Sequence, residues 1–253
     1  VVDPGILLSV TADGRQPAAK PPGERNGTPR AAPPGWLSNT VFWLFWASFG
    51  VLLRFWFRIR VENHPRLRGA YVLAPNHASF LDPLLVGAVT RRRITFLMTE
   101  VIWRSPTLGW FYRWSRSLPV SVRSANRETL RTARTVLQQG RVICIFPEGG
   151  ISRDGGLLLG NPGAVSLVLA EGVPVVPVGI LGAHRAMPAN GRFPWPAKVV
   201  VRFGEPIMPE QLAHGAGDRK GRLQAATRLI MQRLSELTGQ PAREQQLAAL
   251  RRR

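Results

Sequence analysis

The sequence holds a single cysteine, Cys144, in 253 residues. That excludes an intramolecular disulfide and any zinc site built mainly from thiolates. Histidine is scarce as well. His64, His77, His184 and His214 show neither an H-E-x-x-H pairing nor any other tight ligand spacing, so no metal is expected. Acidic residues are few, 15 Asp and Glu against 34 Lys and Arg, for a formal net charge of +19. High net charge brings disorder only where apolar residues are too few for a core, and here they make up 45% of the chain. The short apolar run 5–10 has no basic residues before it, which argues against a signal peptide. No repeat at solenoid periods is present.

Lysine is also nearly missing: Lys20, Lys198 and Lys220 are the only three among the 34 basic residues. The rest are arginines, whose planar fork suits bidentate contact with phosphate. Eleven of them fall between Arg91 and Arg141, against only Glu100 and Glu128. Such a field points to an anionic neighbour. Nucleic acid and an anionic membrane surface both present dense phosphates, and charge alone does not choose between them. The absence of any nucleic-acid recognition motif leaves no nucleic acid expected.

Along the chain, residues 1–35 are rich in Pro, Gly, Ala and charge without a sustained apolar period, and read as a flexible N-terminal tail. Residues 36–60 read as a membrane-associating apolar and aromatic segment. Its first 18 residues, 36–53, carry no charge and as a helix would extend ~27 Å, just short of a bilayer core. Arg54, Phe55, Trp56, Phe57, Arg58 and Arg60 follow, an interleaving that suits the headgroup layer. Spanning the bilayer and lying in its plane are equally open. Residues 61–240 form the remaining domain, and 241–253 a basic C-terminal tail. Apolar runs of strand length at 70–74, 94–98, 142–146, 173–180 and 198–203 alternate with helical patterns at 83–89, 125–139, 163–171 and 219–237. The expected fold is therefore α/β, a mostly parallel or mixed sheet covered by helices, with an N-terminal apolar membrane-associating helix.

The most informative stretch is 74–83, APNHASFLDP, directly after an apolar strand. Loops leaving buried parallel strands are where α/β proteins place their chemistry. On a regular helix His77 and Asp82 would stand ~140° apart, so only a folded loop brings them together. One reading makes Asp82 a helix cap before Pro83, and His77 a loop residue. The other pairs them: a carboxylate accepting the Nδ1 proton fixes the imidazole tautomer and leaves Nε2 to take a proton from a hydroxyl. That is triad logic with the serine replaced by the substrate's own alcohol. Ser79 lies in the same loop but has no G-x-S-x-G elbow around it, so a covalent serine intermediate is not expected.

A second strand, 142–146, runs straight into the Pro- and Gly-rich loop 147–156, which carries Glu148 and Arg153. Such a loop offers backbone N–H groups and an arginine to a phosphate, or is simply a polar turn. Cys144, inside the strand, reads as a small core residue.

An N-H-x-x-x-x-D box, a downstream F-P-E-G box and a V-P-V-x-P-V strand at 173–178, in this order over roughly 61–203, resemble the glycerolipid acyltransferases typified by 1-acylglycerol-3-phosphate O-acyltransferase. The resemblance implies His77 as general base on the acceptor hydroxyl and Asp82 as its partner. It also assigns acceptor binding to Phe146, Pro147, Glu148 and Gly149, with Asn76, Arg123 and Arg153 as further substrate contacts. Two departures stand out. Ile151 occupies the place of the family's phosphate-facing arginine, with Arg153 as its candidate substitute, and the middle box is represented only by 118–123, where Arg123 matches.

The function so implied is transfer of a fatty acyl group from acyl-CoA or acyl carrier protein, as co-substrate, to a hydroxyl of a lysophospholipid in phospholipid biosynthesis. No cofactor is implied, and membrane lipids are the expected surroundings, at the cytoplasmic face. Two alternatives remain: an O-acyltransferase for another lipid acceptor, such as a glycolipid or amino-acid lipid, and a non-catalytic membrane lipid-binding protein.

Overall fold

The computed structural model describes residues 36–99, 103–104, 115, 117–120, 127–189, 191, 193–213 and 218–241. The tails expected at 1–35 and across nearly all of 241–253 lie outside the described residues, as does Arg123.

Along the chain come α1 (Trp36–Trp56), β1 (Arg60–Glu62), β2 (Tyr71–Pro75), α2 (Asp82–Val89), β3 (Ile94–Thr99) and β4 (Leu118–Val120). They are followed by α3 (Arg127–Gln138), β5 (Val142–Cys144), α4 (Pro162–Glu171), β6 (Val175–Leu181), the short α5 (Ala183–Ala186), β7 (Val200–Phe203), α6 (Pro209–Ala213) and α7 (Arg219–Thr238). The seven strands form one sheet in the order β1-β7-β6-β2-β5-β3-β4. Every neighbouring pair is parallel except β6 and β7. The sheet is thus mixed, as expected, and helices cover both faces.

Alternation along the central strand divides the core. Tyr71 and Leu73 join Leu85, Val86 and Cys144 on the face covered by α1 and α2. Val72 and Ala74 join Ala133, Val165 and Ile230 on the face covered by α3, α4 and α7. All five residues of β2 are buried, which explains its continuous apolar run. Helix α4 is closed at its start by Asn161, whose Oδ1 accepts from the Gly163 N–H at 2.9 Å, and α7 by Asp218, which accepts from Gly221 at 2.8 Å.

Three expectations change. The strand expected at 142–146 ends at Cys144, although Ile145 N–H still bonds to the Leu73 carbonyl at 3.0 Å before the chain turns away. The three-residue strand β1 was not legible because it is too short for a period to register. The N-terminal apolar segment is helical over Trp36–Trp56, but among the described residues no helix is long and apolar enough to cross a membrane.

Helix α1 docks on α2 by close approach at two small residues. Gly50 stands against Ala88, and the Trp46 indole lies on Gly87 with Nε1 donating to its carbonyl at 3.0 Å. A Cβ on Gly87 would fall 2.2 Å from the Trp46 ring. This fixes α1 relative to α2, whose first residue is Asp82.

Candidate active site

Strands β2, β5 and β6 are parallel neighbours at the centre of the sheet, so the loops after them emerge together at its C-terminal edge. They carry His77 and Asp82, the F-P-E-G turn, and His184 respectively.

The 76–81 loop folds back on the start of α2. Asp82 is fully buried, and its Oδ2 accepts three hydrogen bonds: from His77 Nδ1 at 2.9 Å, Ala78 N–H at 2.8 Å and Ser79 N–H at 2.8 Å. The cap that one of the two readings gave Asp82 is not there. The helix begins at Asp82 itself, with Leu81 in the capping position and no side-chain cap bond. The carboxylate turns back over the loop instead of forward into the helix, while Pro83 takes the first turn as expected. Among the described residues, Asp82 Oδ1 is buried without a hydrogen-bond partner. Complete burial pushes the Asp82 carboxyl above the usual aspartate range. The His77 bond and charge, then the Ser79 and Ala78 amides, oppose that rise.

His77 keeps part of its ring open, its side chain 13% exposed. Its Nε2 makes no hydrogen bond among the described residues, and its ring stacks on Phe146 at 3.9 Å between centroids and 20° between planes. The F-P-E-G turn therefore touches the histidine directly through its phenylalanine.

Glu148 reaches the same loop. Its Oε1 accepts the His77 backbone N–H at 2.7 Å and its Oε2 the Leu158 N–H at 2.7 Å. The Ser152 N–H closes the link by donating to the His77 carbonyl at 2.8 Å. Burial lifts the Glu148 carboxyl above the usual glutamate range, against the amides of Leu158 and His77 and the His77 charge. With both oxygens on backbone amides, Glu148 ties two loops together. Asn76 does likewise: it is buried, its Nδ2 donates to the Ile180 carbonyl at 3.1 Å, and its Oδ1 accepts the Ile180 N–H at 2.6 Å. Asn76 and Glu148, the two polar side chains of the boxes expected on the substrate, thus both hydrogen-bond to backbone and hold the loop.

Of the other expected residues, Pro147 is buried and its carbonyl accepts from Asn161 at 2.7 Å. Gly149 is exposed, at φ 70°, and a Cβ there would stand 2.6 Å from Asn161 Nδ2, so the turn itself demands glycine. Arg153 is exposed on the loop, and Ile151 is half-buried. Ser79 is fully buried, with its Oγ donating to the Met187 carbonyl at 2.7 Å and accepting from Leu81 N–H at 3.1 Å. It is engaged with backbone on both sides and holds the loop.

Two neighbours escaped the sequence reading. His184 lies with Nδ1 3.3 Å from the Ala78 carbonyl. Its only sequence signal is its place two residues beyond Gly182, just past an apolar strand. Phe80, 48% exposed, presents an apolar ring from the His77 loop itself. Part of the arginine-rich stretch is taken up internally. Arg92 donates to the carbonyls of Gly69 and Gly140 and lies over the Tyr71 ring, and Arg134 pairs with Glu171 at 3.1 Å.

Residues 58–181 match the family model described as Acyltransferase, a span that holds both boxes. The 1-acyl-sn-glycerol-3-phosphate acyltransferase of Cocos nucifera is 32% identical over 139 residues, covering 52% of this chain and 44% of that one. The enzyme of the same name from Limnanthes douglasii is 31% identical over 178 residues, 68% of this chain and 58% of that one. The chain thus spans about half the length of the first of these curated relatives and somewhat more of the second. The crystal structure of the 1-acyl-sn-glycerophosphate (LPA) acyltransferase from Thermotoga maritima superposes with a TM-score of 0.60 at 27% identity, covering 77% of this chain and 78% of that one.

Proposed function

The chain belongs to the glycerolipid acyltransferase family through residues 58–181, and on that premise we propose that it transfers a fatty acyl group from a thioester to the free hydroxyl of a lysophospholipid. The observation that carries this reading is the His77–Asp82 pair: Nδ1 held by a buried carboxylate, Nε2 free on a partly open ring.

In this reading the acceptor hydroxyl donates to His77 Nε2. As its oxygen attacks the thioester carbonyl, the proton passes to Nε2, and Asp82 stabilises the imidazolium that forms. The new C–O bond forms, the C–S bond breaks, and the departing thiolate takes the proton back. No acyl-enzyme is required, and Ser79 is not offered to the substrate. The ring of Phe146 fixes the His77 plane, while Glu148 and Asn76 act as positioning residues that hold its backbone.

The donor is acyl-CoA or acyl carrier protein, and no cofactor takes part. The acceptor is a 1-acylglycerol-3-phosphate-like lipid, with Arg153 and Arg123 as the cations for its phosphate. The half-buried Ile151, where the family carries arginine, favours a second reading in which the acceptor is another lipid with a less anionic head. Helix α1 lies in the plane of a membrane, its exposed Val41, Leu44, Val51, Leu52 and Phe55 toward the lipid. The arginines beside it fit the anionic cytoplasmic leaflet.

The test is acyl transfer by the purified chain, offering acyl-CoA and acyl carrier protein against lysophosphatidate and a panel of other lysolipids. Product from lysophosphatidate supports the first reading, and product only from an uncharged-head acceptor supports the second. No product with any pair, from folded protein in lipid, removes both.

A further inference from the structure

At its C-terminal end α1 closes tightly. Phe57 N–H bonds to the Leu53 carbonyl at 2.9 Å and Ile59 N–H to the Arg54 carbonyl at 2.9 Å, with Arg58 in the left-handed region at φ 43°. The turn throws Arg54 and Arg58 outward together. With Phe55, Trp56 and Pro196 they line a cavity of about 390 Å³. Neither guanidinium has a carboxylate partner among the described residues. The surrounding sequence offers none either: no Asp or Glu occurs in 36–61 or in 172–204.

Pro196 belongs to the loop between α5 and β7, which displays Phe193 and Trp195 at 74% and 71% exposure. These are large rings to leave in water, and each lies within three residues of the cavity wall. The loop is not loosely attached. Trp195 N–H bonds to the Ala186 carbonyl at 2.8 Å, and Val199 N–H to the Phe57 carbonyl at 3.0 Å, fastening it to α5 and to the end of α1. Its other end holds the active loop, since the Ser79 hydroxyl donates to the Met187 carbonyl.

We propose that the Arg54–Arg58 cavity and the Phe193–Trp195 loop together form a docking site for an anionic bilayer phospholipid, the arginines on its phosphate and the two rings in the adjacent acyl layer. Two unpaired guanidiniums beside exposed aromatic rings match the two halves of a lipid at the interface, a charged head above an apolar layer. The site has a second consequence. The segment that enters the lipid is the one that braces Ser79, so docking sets the His77 loop at the surface where a lipid acceptor arrives. The inference rests on α1 lying at a membrane surface and names a second contact, 140 residues further along the chain.

The experiment is co-sedimentation of the full chain with vesicles of phosphatidylcholine alone and of phosphatidylcholine with phosphatidylglycerol, at fixed ionic strength. The parent is expected to prefer the anionic vesicles. Arg54→Gln with Arg58→Gln should weaken binding to those vesicles about 30-fold, with little effect on the neutral ones. Phe193→Ser with Trp195→Ser should weaken binding to both kinds about tenfold or more. All four residues are exposed, so the variants should keep the parent's far-UV circular dichroism and melting midpoint. A parent that binds while both double variants bind equally well overturns the site but leaves α1 at the membrane. A parent that binds neither vesicle overturns the site together with the placement of α1. Release of the parent from vesicles by inorganic phosphate, but not by chloride at equal ionic strength, overturns the lipid in favour of a soluble phosphate ligand.

Discussion

Glu148 and His77 are joined across 71 residues by a 2.7 Å hydrogen bond from the His77 backbone N–H to Glu148 Oε1. The two sequence boxes are thus one structure: the glutamate of the second fixes the histidine of the first by its main chain. Asp82 fixes the same residue by its ring. A histidine held at both backbone and side chain loses little freedom when a substrate arrives.

Glu148→Gln tests the backbone half of that arrangement. The amide keeps one acceptor oxygen but turns an NH₂ toward one of the two N–H donors. The rate of acyl transfer should fall about tenfold or more through kcat, with KM for the acceptor changed far less. A loss confined to KM would instead make Glu148 a substrate contact.

The same variant carries a stability signature. Because burial raises the Glu148 carboxyl in the folded state, the native protein binds its proton more readily than the unfolded chain. Its contribution to stability is therefore fully present below the ordinary glutamate range and declines as pH rises through the raised native value. The stability of the parent minus that of Glu148→Gln should fall as pH rises through that window, read by thermal melts over a pH series. A difference that grows with pH contradicts the assignment.

Asn76→Ala removes two hydrogen bonds to the Ile180 backbone in a buried site and leaves both peptide groups unsatisfied. A loss of about 2–4 kcal/mol is expected in urea unfolding, together with reduced activity. Stability unchanged within about 0.5 kcal/mol would show that the loop does not depend on this clamp.

Gly87→Ala tests the seat of α1. The added methyl meets the rigid Trp46 ring, so α1 must move off α2. We expect a cost of about 1–3 kcal/mol and faster proteolysis near residue 58, while Gly87→Ala with Trp46→Ala should recover part of the loss. Equal resistance of parent and single variant would mean that α1 is not held by this contact.

The fold was largely legible because each long element carries one clear period. The all-buried β2 reads as an unbroken apolar run, and α7 shows a three- and four-residue apolar step. The strand β1 is only three residues long, and its pairing with β7, 140 residues further along the chain, decides it rather than local pattern. The His77–Asp82 pairing was visible as an alternative to capping. What decided it is where the loop amides lie, since Ala78 and Ser79 draw the same oxygen backward. The scaffold roles of Asn76 and Glu148 were hidden for a similar reason: their partners are main-chain groups, which residue types do not announce. His184 was hidden because its neighbour is a carbonyl 106 positions away.

The central claim is that His77 and Asp82 act as one base on the acceptor hydroxyl. The direct measurement is thioester-dependent acyl transfer to lysophosphatidate by the parent, His77→Ala, Asp82→Ala and the double variant, each checked for folding. Each single change should lower the rate by about 10²–10⁴, and the double variant should be little slower than His77→Ala alone. Independent losses that multiply in the double variant, or transfer that survives in His77→Ala, would contradict the account.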